Sequence, residues 1–133
     1  MTLTKKDLAI LDKFNFATQP VGVKFSVKRP DAVERLGNTG LPLGILNDET
    51  WDEAAVQMAP GDLLALYSDG LPEAQNPAQA FFGEERLLDA LRRNRDRPAT
   101  DVQEAVLAEV RAFVGDAPQF DDLTWMILAR NPS

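Results

Sequence analysis

The sequence predicts an α+β fold in which helices pack on one face of an antiparallel β-sheet. The segment Val21–Val27 alternates apolar and polar residues, which is typical of a strand with one buried face and one wet face. The run Leu63–Leu66 is apolar throughout and predicts a central strand, and Leu123–Ala129 predicts the closing strand. Between these two runs, the amphipathic segments Gly83–Asn94 and Thr100–Val114 predict two helices.

Turn and capping signals predict the remaining elements. Thr4 is a suitable N-cap for a helix from Lys5 to Asn15, with its leucines on one face. The tripeptide Ala59-Pro60-Gly61 predicts the turn of a hairpin with the arms Ala54–Met58 and Asp62–Tyr67. Thr100 has the character of a helix start, and Gly115 is expected to end that helix.

An arginine cluster lies at the C-terminal end of the first of the two later helices. Such a cluster can bind phosphate, but it is also the solvated helix end that the helix dipole favours, and the sequence leaves both interpretations open. The cluster consists of Arg92, Arg93, Arg95 and Arg97.

Composition limits the classes of function. The 133 residues suit one domain, 1–133, and the net charge of −7 with a pI near 4.5 argues against nucleic-acid binding, because phosphate backbones would be repelled. No apolar run is long enough for a membrane helix, so we expect no membrane partner. The absence of cysteine fits a cytoplasmic location.

Two acidic pairs are the candidate functional residues. Asp69-Gly70 follows the apolar run Leu63–Leu66, and Asp121-Asp122 precedes the last predicted strand. Carboxylates at strand ends are well placed to hold Mg²⁺ or Mn²⁺, since these cations prefer oxygen ligands. The alternative for Asp69-Gly70 is an ordinary turn, and Asp121 and Asp122 could equally be solvated.

Five motifs, two of which contain these acidic pairs, occur in sequence along the chain. They are Gly40-Leu41-Pro42-Leu43-Gly44, Pro60-Gly61-Asp62-Leu63-Leu64, Tyr67-Ser68-Asp69-Gly70 with Glu73 and Asn76, Phe82-Gly83-Glu84-Glu85-Arg86-Leu87, and Pro118-Gln119-Phe120-Asp121-Asp122-Leu123-Thr124. With these motifs in this order, residues 32–130 resemble the C-terminal half of a PPM-type metal-dependent protein phosphatase of the SpoIIE-like branch. The resemblance implies half of that family's α-β-β-α sandwich.

The resemblance implies roles for the acidic pairs. In the family, aspartates hold two metals, and a metal-activated water attacks phosphoserine or phosphothreonine. Asp69, followed by Gly70, matches a metal ligand, Asp121 matches the first residue of the closing acidic pair, and Asp122 is expected to shape the turn. The family's bridging aspartate belongs to a motif upstream of Gly40, where this sequence has no Asp-Gly pair. We therefore expect weak Mg²⁺ or Mn²⁺ binding and no significant phosphatase activity, with a phosphoprotein substrate only if the chain is active.

The N-terminal segment differs from the rest of the chain. All five lysines lie in residues 1–28; residues 1–36 sum to +3 and residues 37–133 to −10. Residues 5–30 resemble the start of an uncharacterised prokaryotic family that opens with a helix and a Pro-Val-Gly-Val-Lys-Phe strand. These observations predict a seam near residues 30–37 between segments of different origin, although a small domain can also segregate its charges by chance.

The predicted half-sandwich leaves one sheet face without cover. The available helices can shield only one face, and the strand Leu63–Leu66 is apolar on both. We therefore expect a homodimer that buries about 1,500 Å² or more of mostly apolar surface. A non-enzymatic scaffold that folds as such a dimer is the alternative to the phosphatase interpretation.

Overall fold

A four-stranded antiparallel sheet forms the framework of the protein, with strand order β2-β1-β3-β4. The structure is a computed structural model and describes residues 22–26, 29–37, 47–48, 50–118 and 123–132. Two helices accompany the sheet in this part of the chain, so the predicted α+β class is confirmed. The elements are β1 (Gly22–Ser26), β2 (Arg29–Leu36), β3 (Leu63–Tyr67), α1 (Glu84–Asn94), α2 (Ala99–Val114) and β4 (Trp125–Ala129).

The core lies between the helices and one face of the sheet. Val23 and Phe25 of β1 pair with Ala65 and Leu63 of β3, and all four side chains are buried. The periodicity of α1 and α2 presents an apolar stripe to this face, as an amphipathic helix must when it covers a sheet. The buried helix residues are Leu87, Leu88, Ala90, Leu91, Val102, Val106 and Val110.

The opposite side of the sheet, here called the second face, is also largely apolar. Leu64 pairs with Leu128, and Leu66 pairs with Met126, so these four side chains share that face. Met126 is 52% exposed and Leu128 is 40% exposed. The sequence predicted an apolar second face beside the central strand, and β3 is indeed interior, between β1 and β4.

The hairpin predicted around Ala59-Pro60-Gly61 forms only in part. Its second arm is β3, but residues 51–59 form no strand. Side chains bind two carbonyls of this segment: Lys24 Nζ donates to the Gln57 carbonyl at 3.1 Å, and the Arg130 guanidinium donates to that of Met58. The prediction of a strand at 54–58 was wrong because these carbonyls bond to side chains instead of a backbone ladder.

Strand β2 was missed by the sequence analysis. It pairs with β1 at the edge of the sheet, and a bulge interrupts the register between Phe25 and Ser26. Its residues include Pro30 and four charged side chains, which is how edge strands resist pairing with other chains. Lys24 meets its cross-strand partner Glu34 at 2.7 Å. The predicted seam at 30–37 therefore coincides with a strand that is hydrogen-bonded to β1.

The C-terminal ends of both helices agree with the prediction, whereas both starts differ from it by one residue, since Gly83 is the N-cap of α1 and not its first residue. Helix α1 begins at Glu84 and ends at Asn94, and α2 ends where Gly115, at φ 57°, donates its N–H to the Arg111 carbonyl. The start at Thr100 was wrong, because the helix begins at Ala99 and its N-cap is Pro98, without a side-chain cap. The proposed helix at 5–15 lies outside the described residues. None of the helices within them is long and apolar enough to cross a membrane.

Candidate functional site

The turn that carries Asp69 and Gly70 follows directly after β3. The Ser68 carbonyl accepts the Leu71 N–H at 3.2 Å, and the Asp69 carbonyl accepts the Glu73 N–H at 2.9 Å. Asp69 is half-buried and Gly70 is buried. Tight turns of this kind suit aspartate and glycine, so the turn interpretation of the pair is correct as far as the backbone is concerned.

The start of β4 lies beside this turn. Tyr67 pairs with Trp125 at the end of the ladder, and beyond it the Ser68 N–H donates to the Thr124 carbonyl at 2.8 Å. The Thr124 N–H in turn donates to Ser68 Oγ at 3.1 Å. Asp121 and Asp122 precede Thr124 by three and two positions in the sequence, but both lie outside the described residues.

The loop after the turn is closed by Asn76. Its Oδ1 accepts the N–H groups of Ala78 and Ala80 at 3.0 and 2.9 Å, and Gln79 adopts a positive φ of 62° between them. These bonds give the N–H groups of Ala78 and Ala80 an acceptor, which no neighbouring strand provides in this loop. Asn76, which the sequence analysis noted only as a motif residue, therefore shapes the loop.

A polar cluster that the sequence analysis missed joins three elements next to Asp69. Glu84, in the first turn of α1, accepts two hydrogen bonds from Arg35 of β2 at 3.3 Å each and one from the Tyr67 hydroxyl at 3.5 Å. Burial, together with the negative charge of Glu84, raises the pKa of Tyr67 to about 12. The hydrogen bonds to Glu84 and its charge also raise the pKa of Arg35. A signal was present in the sequence, since Glu84 opens one of the recognised motifs.

A small cavity of about 260 Å³ connects this cluster to Asp69. Three carboxylates line it, together with a tyrosine and apolar groups. In the part of the chain that the structure describes, no three acidic, histidine or cysteine side chains converge as a metal-binding group. The described donors thus do not complete a metal centre, and a cation would need further ligands. The lining residues are Tyr67, Asp69, Pro72, Glu73, Phe81, Gly83 and Glu84.

The arginine cluster after α1 is engaged with carboxylates. Arg93 binds Glu109 of α2 at 2.6 Å, with both carboxylate oxygens as acceptors. Each of the other three arginines also has an acidic side chain within 4.0 Å, so the solvated-end interpretation fits better than a free phosphate site. These pairs are Arg92–Asp89, Arg95–Asp96 and Arg97–Asp101.

The sheet, the helix layer on one face and the Asp-Gly turn after the central strand define a phosphatase-like α+β layer. Comparison with known families agrees: the profile of the Stage II sporulation protein E (SpoIIE) family matches residues 20–131. The chain therefore belongs to the SpoIIE family. The match begins upstream of the predicted seam and includes β1.

Three relatives illustrate the likeness. Protein IcfG of Synechocystis sp. is 29% identical over 121 residues, which span 91% of this chain and 18% of that protein. The SiaA-PP2C domain of Pseudomonas aeruginosa superposes with a TM-score of 0.65 at 25% identity, over 84% of this chain and 44% of that one. The PP2C phosphatase domain of SpoIIE from Bacillus subtilis, solved with a fragment of its regulatory domain, gives 0.63 at 20% identity, over 87% and 33%.

The chain matches only part of each of these relatives. The chain spans less than half the length of each of these relatives. Members of this phosphatase family depend on divalent metals, usually Mn²⁺ or Mg²⁺.

Proposed function

We propose that this chain carries one side of the metal centre of a metal-dependent serine/threonine phosphatase. In this proposal Asp69 and Asp121 are metal ligands, Gly70 permits the ligand turn, and Asp122 shapes the second turn. The observation that carries it is the hydrogen-bonded pair of Ser68 and Thr124, because it joins the Asp69 turn to the segment that follows Asp121.

We further propose that residues 1–133 by themselves hydrolyse phosphoesters at no significant rate. Two-metal hydrolysis needs both cations to activate and orient a water, and a ligand that bridges them has no substitute in residues that flank only one. No Asp-Gly pair precedes Gly40 in this sequence. A cation held by Asp69 and Asp121 alone would keep several waters, so its affinity should be about millimolar.

Thermal melting with and without ~10 mM Mg²⁺ tests the metal site. A site of about millimolar affinity should add at most about 1.4 kcal/mol to the free energy of unfolding, and Asp69→Asn should remove this gain. The matched control is Asp96→Asn, since Asp96 is exposed and lies after α1, away from the turn. An equal gain in both variants, or none in the unmodified chain, would show that Asp69 holds no cation.

Incubation with an aryl phosphate and millimolar Mn²⁺ tests the activity. We expect no turnover above that of the Asp69→Asn variant. Turnover that depends on Asp69 would contradict the proposal and show that the chain is an active phosphatase, for which phosphoproteins are the substrate class implied by the family.

A second candidate function, a non-enzymatic scaffold that folds as a homodimer, is favoured by the second face of the sheet. Met126 and Leu128 are both exposed there, next to the half-buried Leu64 and Leu66. A continuous apolar sheet face is a common subunit contact. Light scattering over a dilution series should then give twice the mass of 14.7 kDa, and Met126→Lys should halve it. Phe81→Lys is the control, because Phe81 is 57% exposed but lies in the loop after β3.

The two-origin interpretation of residues 5–30 and 32–130 stays a prediction. The sequence that flanks the coding region tests it, since an upstream phosphatase half would indicate a single family gene. The cytoplasmic location likewise stays a prediction, for which cell fractionation is the direct measurement.

A further inference from the structure

An elongated cleft begins at the Asp69 turn and follows helix α2. Its volume is about 770 Å³, and one end reaches Gly70 and Glu73. Along α2 its lining extends from Gln103 to Val114, which is about 17 Å at the rise of an α-helix. An extended peptide of about five residues has this length, whereas a compact small molecule would fill only part of it.

The lining of this cleft combines apolar contact area with amide groups, one cation and, at the Asp69 end, the carboxylate of Glu73. Two glutamine side chains can donate to and accept from a peptide backbone, and four apolar side chains can hold an apolar residue. Arg111 is exposed and forms no ion pair within the described ranges. The lining residues that matter here are Gln75, Phe81, Gln103, Leu107, Arg111, Val114 and Trp125.

We propose that this cleft docks an extended segment of a phosphoprotein substrate, with an acidic side chain of the segment on Arg111 and its phosphorylated residue at the Asp69 end. The identity of the occupant rests on the proposed phosphatase function. Residues 37–133 sum to −10, so the general field of the protein repels an acidic segment. The attraction must therefore come from Arg111, and its replacement should have a large effect.

Trp125 lines the cleft and reports on its occupancy. The only other tryptophan is Trp51, so a Trp51→Phe background isolates the signal. The probes are phosphoserine peptides of about eight residues that carry a leucine and a glutamate on the N-terminal or the C-terminal side of the phosphoserine. Titration with ~10 mM Mg²⁺ present, since the phosphate would otherwise face the Asp69 and Glu73 carboxylates without a cation, should give a saturable change in Trp125 emission with at least one of the two peptides.

Charge variants test the assigned contact. Arg111→Glu should weaken binding at least tenfold, since a charge-assisted pair is replaced by a repulsive one. Arg29→Glu is the matched control: Arg29 is an exposed arginine on β2, outside the cleft, and its replacement should change affinity less than about twofold. Exchange of the peptide glutamate for glutamine should cost no further affinity once Arg111 has been replaced.

Three outcomes would overturn the inference. They are no emission change at millimolar peptide, equal losses in the Arg111 and Arg29 variants, and an emission shift on protein dilution without peptide, which would place a second copy in the cleft. The proposed metal site is measured separately by the Mg²⁺-dependent melting shift without peptide. A retained melting shift without peptide binding would therefore refute the docking inference alone.

Discussion

Substitution of Gly22 by alanine should disrupt the contact between β1 and β3. A Cβ at position 22 would lie 2.4 Å from the Ala65 carbonyl oxygen and 2.7 Å from Leu66 Cδ2. Real side chains do not approach a backbone oxygen so closely, and the oxygen cannot rotate away as a flexible side chain would. The two strands must therefore separate locally, and Gly22 is required by close backbone approach.

The magnitude follows from two opposing effects. Overpacking of a closed interior site costs about 1–3 kcal/mol, and the clash at position 22 involves backbone, so the upper half of this range applies. Replacement of glycine by alanine also restricts the unfolded chain, which raises the free energy of unfolding by about 0.4–1 kcal/mol. We expect a net loss of about 1–2.6 kcal/mol in the free energy of unfolding.

Urea unfolding, followed by tryptophan fluorescence and far-UV circular dichroism, measures this loss. The matched control is Gly37→Ala, because a Cβ at position 37 meets nothing within 4 Å and the residue lies just after β2. The control should be neutral or slightly stabilising. A Gly22→Ala variant as stable as the unmodified chain would refute the assigned pairing of β1 with β3.

Two further predictions concern Tyr67, which lines the cavity beside Asp69, and Asp62, which lies at the other end of β3. Because Tyr67 has a pKa of about 12 in the folded protein and about 10 when unfolded, the unfolded chain releases its proton first. The free energy of unfolding should therefore fall as the pH rises from 10 to 12. We expect a fall of about 1–2 kcal/mol, because solvent reaches the half-buried ring and weakens the effect. Melting curves at alkaline pH measure this fall, and Tyr67→Phe should remove it. Asp62 is 2% exposed and accepts the Ala59 N–H at 2.8 Å, so Asp62→Ala should cost about 2 kcal/mol in urea unfolding. Asp62→Asn, which keeps an acceptor, should cost less, and equal losses would contradict this role.

Local patterns were sufficient for the core of the fold. The alternation around Val23 and Phe25 predicted which side chains are buried, and the apolar run of β3 predicted its interior position. Strand β2 was missed because an edge strand shows no apolar alternation, only charges and a proline that also occur in loops. The opposite error occurred at residues 54–58, which were predicted to form a strand but form none. Their sequence pattern does not reveal that Lys24 and Arg130 bind the carbonyls of Gln57 and Met58.

The sequence predicted the candidate site only where neighbouring residues in the chain form the functional group and its turn. The Asp69-Gly70 pair stands out in the sequence as a turn after an apolar run, and the structure places it there. The contacts of Glu84 with Arg35 and Tyr67 join residues 49 and 17 positions apart, and no local pattern specifies such pairs. Sequence therefore indicated the ligand candidate, whereas the groups that fix its surroundings required the three-dimensional arrangement.

The position of Asp69 depends on both neighbours of β3, whatever the origin of the N-terminal segment. On one side, β4 continues the ladder to Tyr67 and Trp125. On the other side, β1 contributes Val23 and Phe25, at most 1% exposed, to the same core that β3 enters with Leu63. A strand that loses either neighbour becomes an edge, and its terminal turn loses a fixed position relative to α1. Residues 22–26 are thus part of what positions the proposed ligand, which agrees with a family match that begins at residue 20.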